Sequence, residues 1–419
     1  MQARLLTTSD GAENGRGSKN TVSSENAANA AMSDPGSAVA ADTSARKPSI
    51  KQALLAAVFA AAIVTVILLA FSWPTVTSDP KDLPIAAVGD QEQIDQITAN
   101  VPDGMLDLKK VDSRAEAGQL IRDREAYGAF VFGDDPEILT STAASPPVAQ
   151  QLNGIATQMQ QKIDKQAISG MQDGMKQMQD ALAAAAQSPA GPQANPGAPG
   201  DNPGGNPGDQ AQTPDASAVE VPEVTVTDVV PLNENDSTGA GLAIAGLPLT
   251  IGGIVGGVLT SMIVHSRRMR AVAVVAYGAI GGLALTLVLQ SWFGILQGNF
   301  GLNVLAAGLA VAATAALING FVSLIGPGGI AIGAVLTMFI GNPIASLQVP
   351  KEFLAGAWGD IGQFFVPGAS GTLLRDLSYF PNAPMAMQWW VLVGWFALGI
   401  VLILVGHLKA HAKKRAAAG

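Results

Sequence analysis

The chain has 419 residues, of which 48% are hydrophobic and only 14% charged, with a formal net charge of -9 and no cysteine. So apolar a balance points to the bilayer as solvent. The missing cysteine excludes disulfides, thiolate metal sites and cysteine nucleophiles, and no basic patch with interleaved aromatics points to nucleic acid.

Residues 1 to about 45 are polar and poor in aromatics, and read as a disordered cytoplasmic tail. The first apolar run, 52–73, is "QALLAAVFAAAIVTVILLAFSW", and about 20 such residues suffice to cross a hydrocarbon core of roughly 30 Å. Arg46, Lys47 and Lys51 precede it and no small-residue cleavage site follows, so it reads as an anchor rather than a cleaved signal.

Residues 80–238 read as an extracytoplasmic α/β domain. "LPIAAVGD", "MLDLKKVDS" and "YGAFVFGDD" have strand patterns, with helical spacing in "QEQIDQITANV" and "RAEAGQLIRDREA", the unit ending near Pro136. From Pro147 to Gln187, Ile155, Met159, Ile163, Ile168, Met171, Met175, Met178 and Leu182 mark a Gln-rich amphipathic helix with a possible break at Gly170, able to stand as a stalk or pair with another helix. A Pro/Gly-rich linker, 188–215, follows, and "VEVPEVTVTDVVPL" restores a strand pattern.

Five more spans are predicted, at 239–264, 271–293, 301–325, 328–347 and 387–408, with 409–419 a basic cytoplasmic tail. If the spans alternate, Arg46, Lys47 and Lys51, then Arg267, Arg268 and Arg270, then Lys409, Lys413, Lys414 and Arg415 fall on one side. By the positive-inside rule that side is the cytoplasm, so both termini are expected there in a multi-pass plasma-membrane protein. The expected fold is an integral membrane α-helical protein, six transmembrane helices with the α/β domain between the first two.

No G-x-x-x-x-G-K-[ST] loop occurs, so nucleotide energy would have to come from another polypeptide. The span interiors hold no Asp, Glu, Lys, Arg or His, unlike those of ion-coupled carriers. "GASG" at Gly368–Gly371 matches an intramembrane serine protease in outline, but the later histidines, His407 and His411, fall at the opposite end, so turn chemistry is the better reading. His265 reads as interfacial. No catalytic, cofactor-binding or metal residue is expected. Gln290, Asn299, Asn319 and Asn342 read mainly as interhelical hydrogen-bonders, with Asn319 and Asn342 the candidates for a substrate pathway. "GGIVGG" at Gly252–Gly257 and "GAIGG" at Gly278–Gly282 suit close helix packing, within a bundle or a dimer.

Between the fifth and sixth spans lies "VPKEFLAGAWGDIGQFFVPGASGTLLRD", residues 349–376. Pro350 can open a helix on which Phe353, Leu354, Ala357, Trp358, Ile361, Phe364 and Phe365 share a face, and Pro367 is expected to end it. The segment is too short and too charged to span, so it should lie in the outer interface or dip in and return.

One span, a large outer domain, five more spans and this Pro-bounded segment together resemble type-2 ABC exporter permeases, and within them the phage-infection-protein-like membrane proteins. That family's segment before the last span carries a proline-led "P…FL" helix, a second proline and a small-residue turn with "LR". Pro350, Phe353, Leu354, Pro367, Gly368, Leu374 and Arg375 stand here in that order.

The resemblance implies a homodimer in contact with membrane lipid, and a separate ABC ATPase subunit supplying ATP hydrolysis for export of a lipid-like, polysaccharide or drug-like substrate. It assigns an outer gate to Pro350, Phe353, Leu354, Trp358, Phe365, Pro367, Gly368 and Arg375, and an inner coupling surface to Arg267, Arg268 and Arg270. Because the connection carrying those arginines is only "HSRRMR", a non-transporting membrane scaffold or receptor acting through the outer domain is the alternative.

Overall fold

A computed structural model describes residues 50–98, 101–133, 135–187 and 221–416. The expected tail over 1–45, the linker over 188–215 and the last residues of the basic tail lie outside the described residues. Residues Phe59–Gly419 form one compact unit; of the preceding unit, Met1–Val58, residues 50–58 are the first turns of a helix.

That helix is α1 (Ile50–Val76), and a five-stranded α/β region follows it: β1 (Leu83–Val88), α2 (Gln91–Thr98), β2 (Leu106–Val111), α3 (Arg114–Arg122), β3 (Gly128–Val131), β4 (Glu137–Thr140), α4 (Pro146–Gln187) and β5 (Thr225–Asp228). The sheet order is β2-β1-β3-β4-β5, parallel throughout except for the antiparallel β3–β4 pair. "LPIAAV" is nearly all apolar because β1 is central and covered on both faces. Period-two alternation divides the core: Phe130 and Ile138 face α4, while their neighbours Ala129 and Leu139 face α3. The domain does not end at Pro136, because "EILT" adds β4 and the strand pattern after the linker adds β5.

α3 starts at Ser113, whose Oγ accepts from Glu116 N (3.2 Å), while Glu116 Oε2 accepts from Asp112 N (3.1 Å). Helix α4 runs unbroken through Gly170. Val148, Leu152 and Ala156 cover the sheet, whereas side chains 168–184 are all exposed.

The remaining elements form a helix bundle: α5 (Ala240–Ile263), α6 (Arg267–Thr286, extended to Trp292 by a π-helical turn), α7 (Phe300–Ile325), α8 (Gly328–Ala334, extended to Gly341 by another π-helical turn), α9 (Trp358–Gly362), α10 (Val366–Tyr379) and α11 (Ala386–Ala416). Five helices are long and apolar enough to cross a membrane, within α1, α5, α6 with its extension, α7 and α11. This is the make-up of a multi-pass α-helical membrane protein with a small sheet. The segment expected as a span over 328–347 is shorter. Its helix stops at Gly341, rising about 21 Å at 1.5 Å per residue. The reason is local: Pro343 has no N–H to continue the helical ladder, so the hydrogen bonding stops although Asn342 itself keeps helical dihedrals (φ -73, ψ -41).

Helix α7 is the centre of the bundle. Ala306, Ala307, Ala310, Ala313, Ala315 and Ala316 are buried on several faces at once, which lets α5, α6 and α11 close in around it. A Cβ at Gly278 would sit 2.7 Å from the Cβ of Ala312, and one at Gly282 would overlap the Val304 carbonyl, so α6 rests backbone to backbone on α7. By contrast α1 presents Phe59, Val64, Val66, Leu68 and Leu69 to its surroundings, each about two-thirds exposed.

Candidate functional site

The bundle has a domain end, joined to the sheet, and a basic end, where the α5–α6 and α7–α8 connections and the last turns of α11 meet. The candidate residues divide between them.

At the domain end, residues 349–376 do not form one amphipathic helix. Lys351–Phe353 is a single 3-10 turn, the chain bends at Gly356 (φ +62), and two helices, α9 and α10, follow. The bend lets Phe353 enter the core of the sheet domain while Ile361 and Phe364 stay exposed. Pro367, expected to end a helix, opens one: it lies in the first turn of α10, where a missing N–H costs nothing.

Phe353 is buried in the sheet's own core with Leu83, Ile85 and Phe130. The backbone fastens it further, since Asp79 N donates to Phe353 O (3.0 Å) and Lys81 N to Glu352 O (3.2 Å). Pro350 and Leu354 are buried beside it. Trp358 stays half-exposed, edge-on to Trp73 at 6.2 Å. Phe365 stacks on Trp395 at 6.0 Å, whose Nε1 donates to Phe364 O (2.7 Å). Gly368 has no room for a side chain, because a Cβ there would overlap the Gly362 carbonyl. Ser370 of "GASG" donates to Pro367 O (3.1 Å) within α10.

Helix α10 then packs against the domain-end halves of α5, α7 and α11, through Val366, Ala369, Leu373, Leu374 and Leu377. Its last turn carries the charges that join bundle to domain. The Arg124 guanidinium donates to Asp376 Oδ1 and lies over the Phe380 ring at 5.4 Å. Tyr127 donates to Glu352 Oε2 (2.9 Å), and Arg375 to the carbonyls of Leu347 (2.9 Å) and Ala144 (3.4 Å). Only 3% of the Asp376 side chain is exposed and 16% of the Arg124 side chain.

Burial sets the electrostatics of this joint. It is the largest influence on Arg124 and opposes the charge, but Asp376, Tyr127 and Glu352 outweigh it, and the guanidinium is held above its ordinary value. Burial pushes the Tyr127 phenol up, aided by Glu352. It also raises the Asp376 carboxyl while Arg124 and Arg375 pull the other way. Both shifts favour the protonated form, which keeps the guanidinium charged but would neutralise the carboxyl. The direct guanidinium–carboxylate hydrogen bond decides in favour of an ion pair at neutral pH.

Of the polar residues near the spans, Gln290 accepts from Asn303 Nδ2 (2.9 Å) and donates to Gly298 O (3.1 Å), and Asn299 caps α7 by accepting from Leu302 N (3.0 Å). Asn319, fully buried, donates to Gly257 O (3.1 Å), Thr260 Oγ1 (2.8 Å) and Ala315 O (2.9 Å), tying α7 to α5. The Oδ1 atoms of both Asn319 and Asn342 are buried without a partner, but only Asn342 lines a cavity, one of about 390 Å³ shared with Phe71, Pro74, Ser78, Ile244 and Leu354. Ser78 Oγ in the same wall is also unpartnered. The structure therefore separates the two pathway candidates, Asn319 as a packing residue and Asn342 as a cavity residue.

At the basic end the three arginines do not form a protruding surface. Arg270 folds back to donate to Ser261 O and Val264 O, both at 2.7 Å, closing the end of α5. Arg268 donates from Nε to His407 Nε2 (3.1 Å), and the His407 and His411 rings meet edge-on at 4.4 Å. Arg267 and Arg270 line a cavity of about 620 Å³ whose wall includes His265, Pro327, His407 and His411. Among the described residues no group of His, Cys, Asp and Glu is arranged to hold a metal.

No family model, no curated protein and no solved structure matches the chain.

Sequence reasoning missed Arg124, Tyr127, Glu352 and Asp376. One signal was available: Glu352, Arg375 and Asp376 are isolated charges in an otherwise apolar half of the chain, and such charges need partners.

Proposed function

We propose that this chain is the membrane subunit of an exporter of the type-2 ABC kind, moving a lipid-like, polysaccharide or drug-like substrate outward while a separate subunit hydrolyses ATP. In this reading it crosses the plasma membrane six times, with Gly328–Gly341 as a short crossing, and the basic end faces the cytoplasm with both tails. It functions as a homodimer, and the exposed flank of α1 faces lipid or the second copy.

The observation that carries the reading is the double membership of residues 350–379. Phe353 belongs to the sheet core and α10 to the bundle, with the Arg124–Asp376 pair between them. A displacement of α10 against α7 would therefore move the outer domain, as a gate driven from the membrane requires. A second reading is favoured by the basic end. The α5–α6 connection is Val264–Ser266 and Arg270 is turned inward, leaving little for an ATPase to grip; a receptor or scaffold would need no such surface.

Co-purification of the tagged protein in gentle detergent, with an assay for vanadate-sensitive ATP hydrolysis, separates the two. A stoichiometric partner carrying a phosphate-binding loop, released when Arg267 and Arg268 are replaced by Gln, supports the exporter. A homo-oligomer without ATPase activity sinks it and leaves the receptor.

A further inference from the structure

The cavity at the basic end has the composition of an anion site. Its wall is assembled from three separate places in the chain: the end of α5 with the α5–α6 connection, the α7–α8 turn, and the last turns of α11. Together they bring three kinds of group. Arg267 and Arg270 supply guanidinium groups, His265, His407 and His411 supply imidazoles, and Val322, Pro327 and Ile330 supply an apolar floor.

No carboxylate lines it, and none could do so from nearby in sequence, since residues 237–351 and 377–419 contain no Asp or Glu. The positive-inside rule accounts for cations at this end but not for their convergence on one concavity. Nor does it account for a histidine pair fixed by Arg268, through the 3.1 Å bond to His407, beside those cations. Converging guanidinium and imidazole donors without an internal counter-ion match the oxygens of a phosphate group.

We propose that this cavity binds a phosphate-bearing anion, with Arg267, His407 and His411 as its ligands and Arg268 and Arg270 as positioning residues. The apolar floor and the location at the ends of apolar helices suit the headgroup of an anionic phospholipid, and basic pockets between membrane helices recognise such headgroups. A free phosphate presents the same oxygens. The inference is independent of whether an ATPase couples to the chain.

The test uses the full-length protein in nanodiscs of phosphatidylcholine containing a minor fraction of phosphatidylglycerol, with retained lipid counted by native mass spectrometry after release. Phosphatidylglycerol should be enriched on the wild type, fall about fivefold in Arg267→Gln, and fall further in Arg267→Gln/His411→Gln, which also removes an imidazole donor. Arg267→Lys should restore part of the enrichment, and unchanged melting temperatures guard against misfolding. Lys409→Gln, a nearby cation outside the cavity wall, should leave enrichment intact.

Excess inorganic phosphate identifies the source. Enrichment that survives it assigns the site to a lipid headgroup, and enrichment that it displaces assigns the site to soluble phosphate. Equal retention by wild type and the double variant overturns the proposal. So does a loss of equal size in Lys409→Gln, which would reduce the effect to the general charge of this end.

Discussion

Arginines stand at both ends of the helix bundle, and the chain answers them differently. At the domain end Arg124 meets the carboxylate of Asp376, and Arg375, flanked by that pair, reaches two carbonyls. At the basic end Arg270 meets only carbonyls, Arg268 an imidazole nitrogen, and the cavity wall has no carboxylate at all. An arginine neutralised inside the protein is a fastening, and removing its partner should damage the fold. One that keeps its net charge can attract something from outside, and removing it should spare the fold.

The strongest way to break this contrast is Asp376→Asn. It strands a buried guanidinium, and loss of one partner of a buried pair costs about 3–5 kcal/mol. The melting temperature in detergent should drop sharply, while Arg124→Met/Asp376→Leu should recover most of the loss. A double variant as unstable as the single one would remove the ion pair as the cause.

Next in size is the packing between the two ends. Gly282→Ala drives a methyl into the Val304 carbonyl and should cost about 1–3 kcal/mol, whereas Gly394→Ala on α11, with nothing within 4 Å, should be neutral or slightly stabilising. Equal melting curves for both would contradict the backbone-to-backbone contact of α6 and α7.

At the basic end the expected effects are smaller and unequal. Arg270→Gln loses two hydrogen bonds to the end of α5 and should cost about 1 kcal/mol. Arg267→Gln should shift stability by less than about 0.5 kcal/mol while lowering anion retention about fivefold. If Arg267→Gln proves the more damaging to the fold, the arginines of the two ends are not different in kind.

A small, pH-dependent effect belongs to an ion pair at the rim of the sheet. The Arg114 hydrogen bonds hold Glu137 below its usual carboxylate range, against the opposing effect of burial. The folded value lies below the unfolded one, so this stability is present above pH about 4.3 and is lost as pH falls through the folded value. Arg114 is about half-exposed, so screening limits it to less than about 1 kcal/mol. Acid unfolding curves of wild type and Glu137→Gln should therefore differ only slightly, and converge at low pH.

Much of the fold was legible in the sequence. Apolar length located the five long helices, and alternation found β1, β2 and β3. The stripe from Ile155 to Leu182 located α4, but only Ile155 and Met159 of it join the sheet's core, beside Val148, Leu152 and Ala156, while the residues from Ile168 onward are exposed. What escaped detection depends on distant pairing. β4 is four residues whose partners are β3 and a strand beyond the linker, and Arg124 and Asp376 are 252 residues apart. No local period encodes such a meeting. Residues 349–376 were recognised as special, but periodicity placed Phe353 to Phe365 on one helix, because a helical wheel cannot see that Phe353 has a second domain to enter. The centrality of α7 was readable in its alanines, which leave no bulky face to turn toward lipid.

Arg124 carries a further consequence. It follows α3 with φ +59, in the left-handed region where glycine is at ease and other residues lose about 1 kcal/mol. Glycine there would make the outer domain more comfortable by itself and leave it unfastened from α10. Local repose and attachment are thus in competition at one position, and the chain has the residue that favours attachment. Arg124→Gly should therefore relieve the backbone of the outer domain while weakening its joint to α10, which Phe353 and the Tyr127–Glu352 hydrogen bond would still hold.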